Sequence, residues 1–147
     1  MPTLERSIEI AASAHTGQTD KAGQPYILHP LKVMLRVDTP FERMAAVLHD
    51  VVEDTHVTLV QLADEGFPKE VLEAIEALTK LPNESRISAA KRAAANPIAR
   101  VVKLADNAEN MDLSRIEHPT GKDFARIKEY EEVRALLLEA IRPDPFT

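Results

Sequence analysis

From Leu4 to Ile141 the apolar residues recur at intervals of three and four, and proline or glycine cuts each run short. That interval is the helical period, so a chain patterned this way buries one face of each of several short helices. Aromatic residues are only 4% of the 147-residue chain and cysteine is absent, while the hydrophobic fraction is 44%. The core therefore rests on Leu, Ile, Val, Ala and Met, with no help from disulfides or thiolate metal sites. The expectation is an all-α chain forming one compact domain over 1–147, with its core at about 4–141 and a short C-terminal tail.

The breaks locate the helices. Leu4, Ile8, Ala11 and Ala12 predict an opening helix that Gly17 ends. Pro25-Tyr26-Ile27-Leu28-His29-Pro30 reads as a constrained link, with His29 held out of helical angles by the proline after it and a helix running from Pro30 to about Arg36. Asp38 or Thr39 caps the next helix, predicted over 41–54 with Met44, Val47, Leu48, Val51 and Val52 on its apolar faces. Thr58 caps a short helix reaching Glu65, and Pro68 starts another carrying Val71, Leu72, Ile75 and Leu78. An alanine-rich helix is expected over 85–95. Asn96-Pro97 starts one that extends through Met111 and Leu113, and a last helix at about 122–141 turns Phe124, Ile127, Val133, Leu137 and Ile141 inward.

The formal net charge is −6, from 18 basic and 24 acidic residues, which gives no support to broad binding of DNA or RNA. A small anionic substrate is still compatible with it, because a few local cations and a metal dominate the field inside a cleft. The N-terminus lacks a secretory pattern and no apolar run reaches membrane-spanning length, so a cytoplasmic protein without membrane association is expected. The apolar faces leave no surplus that assigns an oligomeric interface.

Polar residues interrupt this pattern in three places. His49 and Asp50 stand amid Val47-Leu48 and Val51-Val52, followed by Glu53 and Asp54 at spacings that bring much of the group to one side of a helix. Asp106 and Asn110 repeat the four-residue spacing further on, with Lys103 three positions before Asp106, and His29 arrives from the proline-flanked link. Burying such groups is costly without partners, and a metal or a set of hydrogen bonds offsets that cost. Imidazole and carboxylate suit Mn, Fe, Co, Zn or Ni. A metal there acidifies a water and polarises a phosphorus–oxygen bond, with Glu53 the better candidate to take the water proton, Asp54 assisting and Asn110 orienting ligands or substrate. Taken singly, each residue also fits an ordinary role: His49 as a capped or partly buried histidine, Asp50 and Asp106 as surface charges, His29 packed beside Tyr26. Lys103 equally fits a salt bridge, a phosphate contact or a solvated charge.

Three segments together are more specific. Ala14-His15-Thr16-Gly17-Gln18 with Lys21 through Pro30, Ala46 through Thr55 around His49-Asp50, and Val102 through Met111 around Asp106 resemble, in order, the motifs of RelA/SpoT-type hydrolase domains. With Asn96-Pro97-Ile98-Ala99-Arg100 the resemblance covers roughly 5–140. It implies an HD-superfamily fold, manganese bound by His29, His49, Asp50 and Asp106, a catalytic acidic pair Glu53 and Asp54, and Asn110 nearby. The implied activity is removal of the 3′-pyrophosphate from guanosine tetra- or pentaphosphate. A chain of this length leaves no room for the synthetase and regulatory domains of the long bifunctional enzymes, so synthetase activity is not expected.

Two positions depart from the family pattern. Asp20-Lys21 stands where the family usually has Arg-Lys, whose arginine helps hold the guanine. Ser85 through Arg92 replaces a tyrosine-rich stretch. Asp20 accepts hydrogen bonds but supplies neither a cation nor guanidinium stacking. Lys21, Arg86, Lys91, Arg92, Lys103 and Arg115 are candidate phosphate contacts, with Lys21 and Arg92 foremost. The alternatives are a hydrolase of another nucleotide pyrophosphate or phosphomonoester, and a catalytically silent nucleotide sensor.

Overall fold

Most of the helices begin where the sequence supplies an acceptor or a proline. In the computed structural model, which describes residues 1–114 and 118–142, the order is α1 (Leu4–Ala14), α2 (Leu28–Leu35), α3 (Pro40–Leu48), α4 (Val51–Asp54), α5 (Leu59–Asp64), α6 (Lys69–Leu78), α7 (Arg86–Ala94), α8 (Pro97–Asn110) and α9 (Gly121–Ile141). Thr39 caps α3 through a reciprocal pair with Glu42, Thr58 caps α5 the same way with Gln61, and Asn96 Oδ1 accepts from the N–H groups of Ile98 and Ala99 at 3.0 and 2.9 Å. The fold is all-α. Among the described residues the only β pairing is the isolated bridge Thr19–Pro25.

α3 and α8 form the centre. α3 packs on α1, α2, α6 and α8, and α8 packs on α2, α6, α7 and α9. Val33, Val47, Leu48, Val51, Val71, Ile75 and Val102 are fully buried there; each such side chain contributes about 1.5–3 kcal/mol. A smaller cluster of Ala90, Val133 and Leu137 joins α7 to α9. No described helix is long and apolar enough to cross a membrane.

Four expectations need correction. His29 lies inside α2, not in a link before it, and Pro30 is the third residue of that helix. The first N–H groups of a helix have no intrahelical acceptor, so proline is tolerated there and its bias on His29 is overridden. The helix expected over 41–54 is interrupted at His49-Asp50. The Ala46 carbonyl accepts from both the backbone N–H and the ring Nδ1 of His49, which competes with the acceptor that an unbroken helix gives to Asp50. α8 ends at Asn110 rather than running on to Leu113. On α9, Val133 and Leu137 are buried as expected, but Phe124 and Ile141 are 57% and 41% exposed. The expected tail lies outside the described residues apart from Arg142, as does Arg115.

Candidate metal centre

The break in the helix sets the orientation of His49. A carbonyl only accepts, so Nδ1 donates to Ala46 and Nε2 is the ring nitrogen that meets the site, carrying a proton toward the carboxylates or giving its lone pair to a cation in the proton's place. That Nε2 faces carboxylates, 3.1 Å from Asp50 Oδ2 and 3.3 Å from Asp106 Oδ1. His29 Nε2, from the first turn of α2, stands 2.8 Å from the same Asp106 oxygen and 3.9 Å from Asp50 Oδ2. Two helices, α2 and α8, and the α3–α4 junction therefore converge on one point. His29, His49 and Asp106 are buried, and their ligand atoms lie within 4.8 Å of one another.

The electrostatics of this cluster favour a cation. Burial opposes charge on His49, but the Asp50 and Asp106 carboxylates outweigh it and raise its pKa well above the ordinary value. Burial likewise opposes ionisation of Asp106, yet Lys103 and the two histidines hold it well below the carboxylate range. A dry, carboxylate-rich pocket with two imidazoles needs positive charge at its centre, and the donor set suits a divalent transition metal. The His29–His49–Asp106 cluster is capable of coordinating one, with Asp50 directly beside it.

Asp50, Glu53 and Asp54 bring three carboxylate oxygens within 4.8 Å of one another on the wall of the adjoining cavity, about 320 Å³. Glu53 accepts from the Lys80 backbone N–H at 2.6 Å. Partial desolvation, then the charges of Asp50 and Glu53, push the Asp54 carboxyl up to about 6. Lys103 lines the same cavity with its Nζ 3.5 Å from Asp106 Oδ2. Arg86 is there too, paired with Glu129 and stacked over Tyr130 at 4.8 Å.

A second cavity of about 290 Å³ shares the walls Tyr26, His29, Asn110 and Tyr130 with the first. Lys21 lines it, with its pKa lowered by burial and by the neighbouring Arg126. Asp20 lines it as well, but its Oδ1 accepts from the N–H groups of Ala22 and Gln24 at 2.9 and 3.0 Å and so closes the 18–26 loop. Arg92 is elsewhere. Its guanidinium meets both oxygens of Glu84 at 2.7 Å and the Thr79 carbonyl at 2.7 Å, and it lines neither cavity. Lys91 lines neither cavity and is exposed.

The sequence placed Tyr26 beside His29 but did not show its bond to Asp50, nor the parts played by His15, Gln18 and α9. Tyr26 donates to Asp50 Oδ2 at 2.5 Å, and its ring sits between those of His15 and His29, 5.1 and 5.7 Å away. His15 Nδ1 meets Gln18 Oε1 at 2.8 Å, and Gln18 donates to the Asp54 carbonyl at 3.1 Å, tying the loop to α4. α9 contributes Asp123, Arg126 and Tyr130 to the cavity walls. No spacing rule links those positions to His49. The only signal was a cationic residue on a helix long enough to pass the site.

A helical bundle that gathers two buried imidazoles and a carboxylate under a cation-lined cavity has the features of a metal-dependent hydrolase. The chain belongs to the HD-domain family, which it matches over residues 7–105, and it is related to RelA/SpoT-type (p)ppGpp hydrolases. It is 36% identical over 148 residues to a probable GTP pyrophosphokinase of Mycobacterium leprae, a match covering 91% of this chain and 18% of that protein. It is 34% identical over 124 residues to the bifunctional (p)ppGpp synthase/hydrolase SpoT of Escherichia coli, covering 74% of this chain and 17% of the relative. The chain thus spans less than a fifth of the length of either. A solved structure of a metazoan ortholog of SpoT that hydrolyses ppGpp superposes with a TM-score of 0.76 at 25% identity, covering 97% of this chain and 88% of that one.

Proposed function

We propose that this chain is a metal-dependent pyrophosphohydrolase that removes the 3′-pyrophosphate from guanosine tetra- or pentaphosphate. The observation that carries the reading is the buried His29–Asp106–His49 cluster opening onto a cavity lined by Lys103 and Arg86. The RelA/SpoT relatives support the substrate class. His29, His49, Asp106 and Asp50 would hold the cation, manganese by resemblance. When bound, it supplies Lewis acidity toward a phosphoryl oxygen and acidifies water.

The chain's own groups divide the remaining work. Asp54, with a carboxyl near 6, takes the proton of the attacking water, and Glu53, fixed by the Lys80 N–H, keeps that wall negative. The water oxygen bonds to the phosphorus on the ribose 3′ oxygen. The P–O bond breaks with its electrons on that oxygen, which is then protonated. Lys103 offsets the charge of the departing pyrophosphate, while Asn110, on the wall shared by both cavities, orients the nucleotide. Lys21 and Arg126 face the second cavity, where the rest of an anionic nucleotide is expected.

A neighbouring reading is hydrolysis of a different nucleotide pyrophosphate or phosphomonoester. It is favoured by Asp20, which ties the loop where the family has a base-holding arginine. A metal-loaded panel of guanosine and adenosine tetraphosphates, other nucleotides and simple phosphate esters separates the two. Preference for guanosine tetraphosphate with pyrophosphate released supports the proposal. Cleavage of a different nucleotide alone moves the assignment to the neighbour, and tight binding without product makes the chain a sensor.

A further inference from the structure

α9 carries two apolar faces. Val133 and Leu137 point into the α7–α9 cluster, while Phe124, Leu138 and Ile141, 57%, 46% and 41% exposed, form a stripe beside that face, running from the outer side at Phe124 to the edge of the buried face at Ile141. These exposed residues fall on one seam with the exposed Glu131 and the half-buried Ile127 and Arg134. Phe124, Ile127, Glu131, Arg134, Leu138 and Ile141 follow one another at alternating intervals of three and four, the heptad spacing of a helix–helix contact. The seam spans most of a helix of 21 residues, roughly 30 Å long. α9 packs on α7 and α8 with its inner face, and neither Glu131 nor Arg134 makes an ion pair among the described residues.

The order of residues along this seam is self-complementary when read against its own reverse. An antiparallel copy centred between residues 132 and 133 sets Phe124 opposite Ile141, Ile127 opposite Leu138, and Glu131 opposite Arg134. Two-fold symmetry repeats each pairing, so two ionic layers sit at the middle with apolar layers at both ends. A parallel pairing instead sets Glu131 against Glu131 and Arg134 against Arg134, and a slip of one heptad removes the charge match.

We infer that the outer face of α9 is a homodimer interface, in which a second copy of this chain packs antiparallel with Glu131 of each protomer paired to Arg134 of the other. Sedimentation equilibrium of the full chain at high micromolar concentration tests it, with circular dichroism confirming that each variant is folded. The chain is expected at twice its monomer mass. Glu131→Arg and Arg134→Glu each place like charges in both central layers and are expected to raise the dimer dissociation constant by at least about tenfold. The double exchange Glu131→Arg/Arg134→Glu restores the pairing and most of the affinity. A monomeric wild-type chain overturns the inference. So does a dimer indifferent to the single exchanges, or a double exchange no better than either single one.

Discussion

Tyr26 donates its phenolic hydrogen to Asp50 Oδ2 at 2.5 Å, joining residues 24 positions apart. One carboxylate oxygen thus serves the tyrosine and faces both histidines. Tyr26→Phe keeps the ring between His15 and His29 but frees Asp50 to rotate. Metal affinity is expected to fall about tenfold, and kcat with it, while thermal stability changes by no more than about 1 kcal/mol. Calorimetric metal titration beside a turnover assay reads both. Unchanged affinity refutes a positioning role for Tyr26.

Asp54 and Glu53 are adjacent but differently held. Asp54→Asn is expected to lower kcat by about 10²–10³-fold with metal content unchanged, since it removes the proton acceptor and leaves the cluster intact. Glu53→Gln keeps an oxygen for the Lys80 N–H and is expected to cost less. The reverse order of effects, measured at saturating substrate, would exchange their roles.

Much of this was legible in the chain. Thr58 and Asn96 cap helices where side-chain acceptors precede apolar runs, and of Asp38 and Thr39 it is Thr39 that caps α3, because capping is local chemistry. The convergence of His29, His49 and Asp106 was implied by the three family-like segments, while the cost of burying them, taken alone, left each residue an ordinary role as well. The break at His49 was not legible, because it depends on a ring nitrogen reaching the Ala46 carbonyl. Nor was the place of Arg126 in the cavity wall, which only the packing of α9 on α8 decides.

Arg126 supplies a guanidinium to the second cavity, beside Lys21. Arg126→Ala is expected to raise KM about tenfold with kcat within about twofold, the pattern of binding shared by ground and transition states. A fall in kcat at unchanged KM would move Arg126 to the reacting phosphate instead. The exposed Lys128→Gln serves as the control in the same assay.

Glu84 is held down to about 2, first by its hydrogen bonds from Arg92, then by the Leu81 N–H. A carboxylate lowered from its ordinary 4.5 stabilises the folded chain above that value. The contribution fades as pH falls from there through about 2, because the unfolded chain binds the proton first. Glu84→Gln is therefore expected to lower Tm at neutral pH and to flatten the loss of Tm between those two values. Parallel curves for the two proteins would show that the Arg92 tie contributes nothing measurable.

The most direct measurement follows guanosine tetraphosphate by phosphorus NMR in water enriched in ¹⁸O, with manganese, with chelator, and with Asp106→Ala. The expected result is pyrophosphate carrying the heavy oxygen and a guanosine 5′-diphosphate without it, formed only with manganese and lost with Asp106→Ala. Protein that binds manganese at His29, His49 and Asp106 yet leaves guanosine tetraphosphate intact, or turnover unchanged in Asp106→Ala, would contradict the proposed activity.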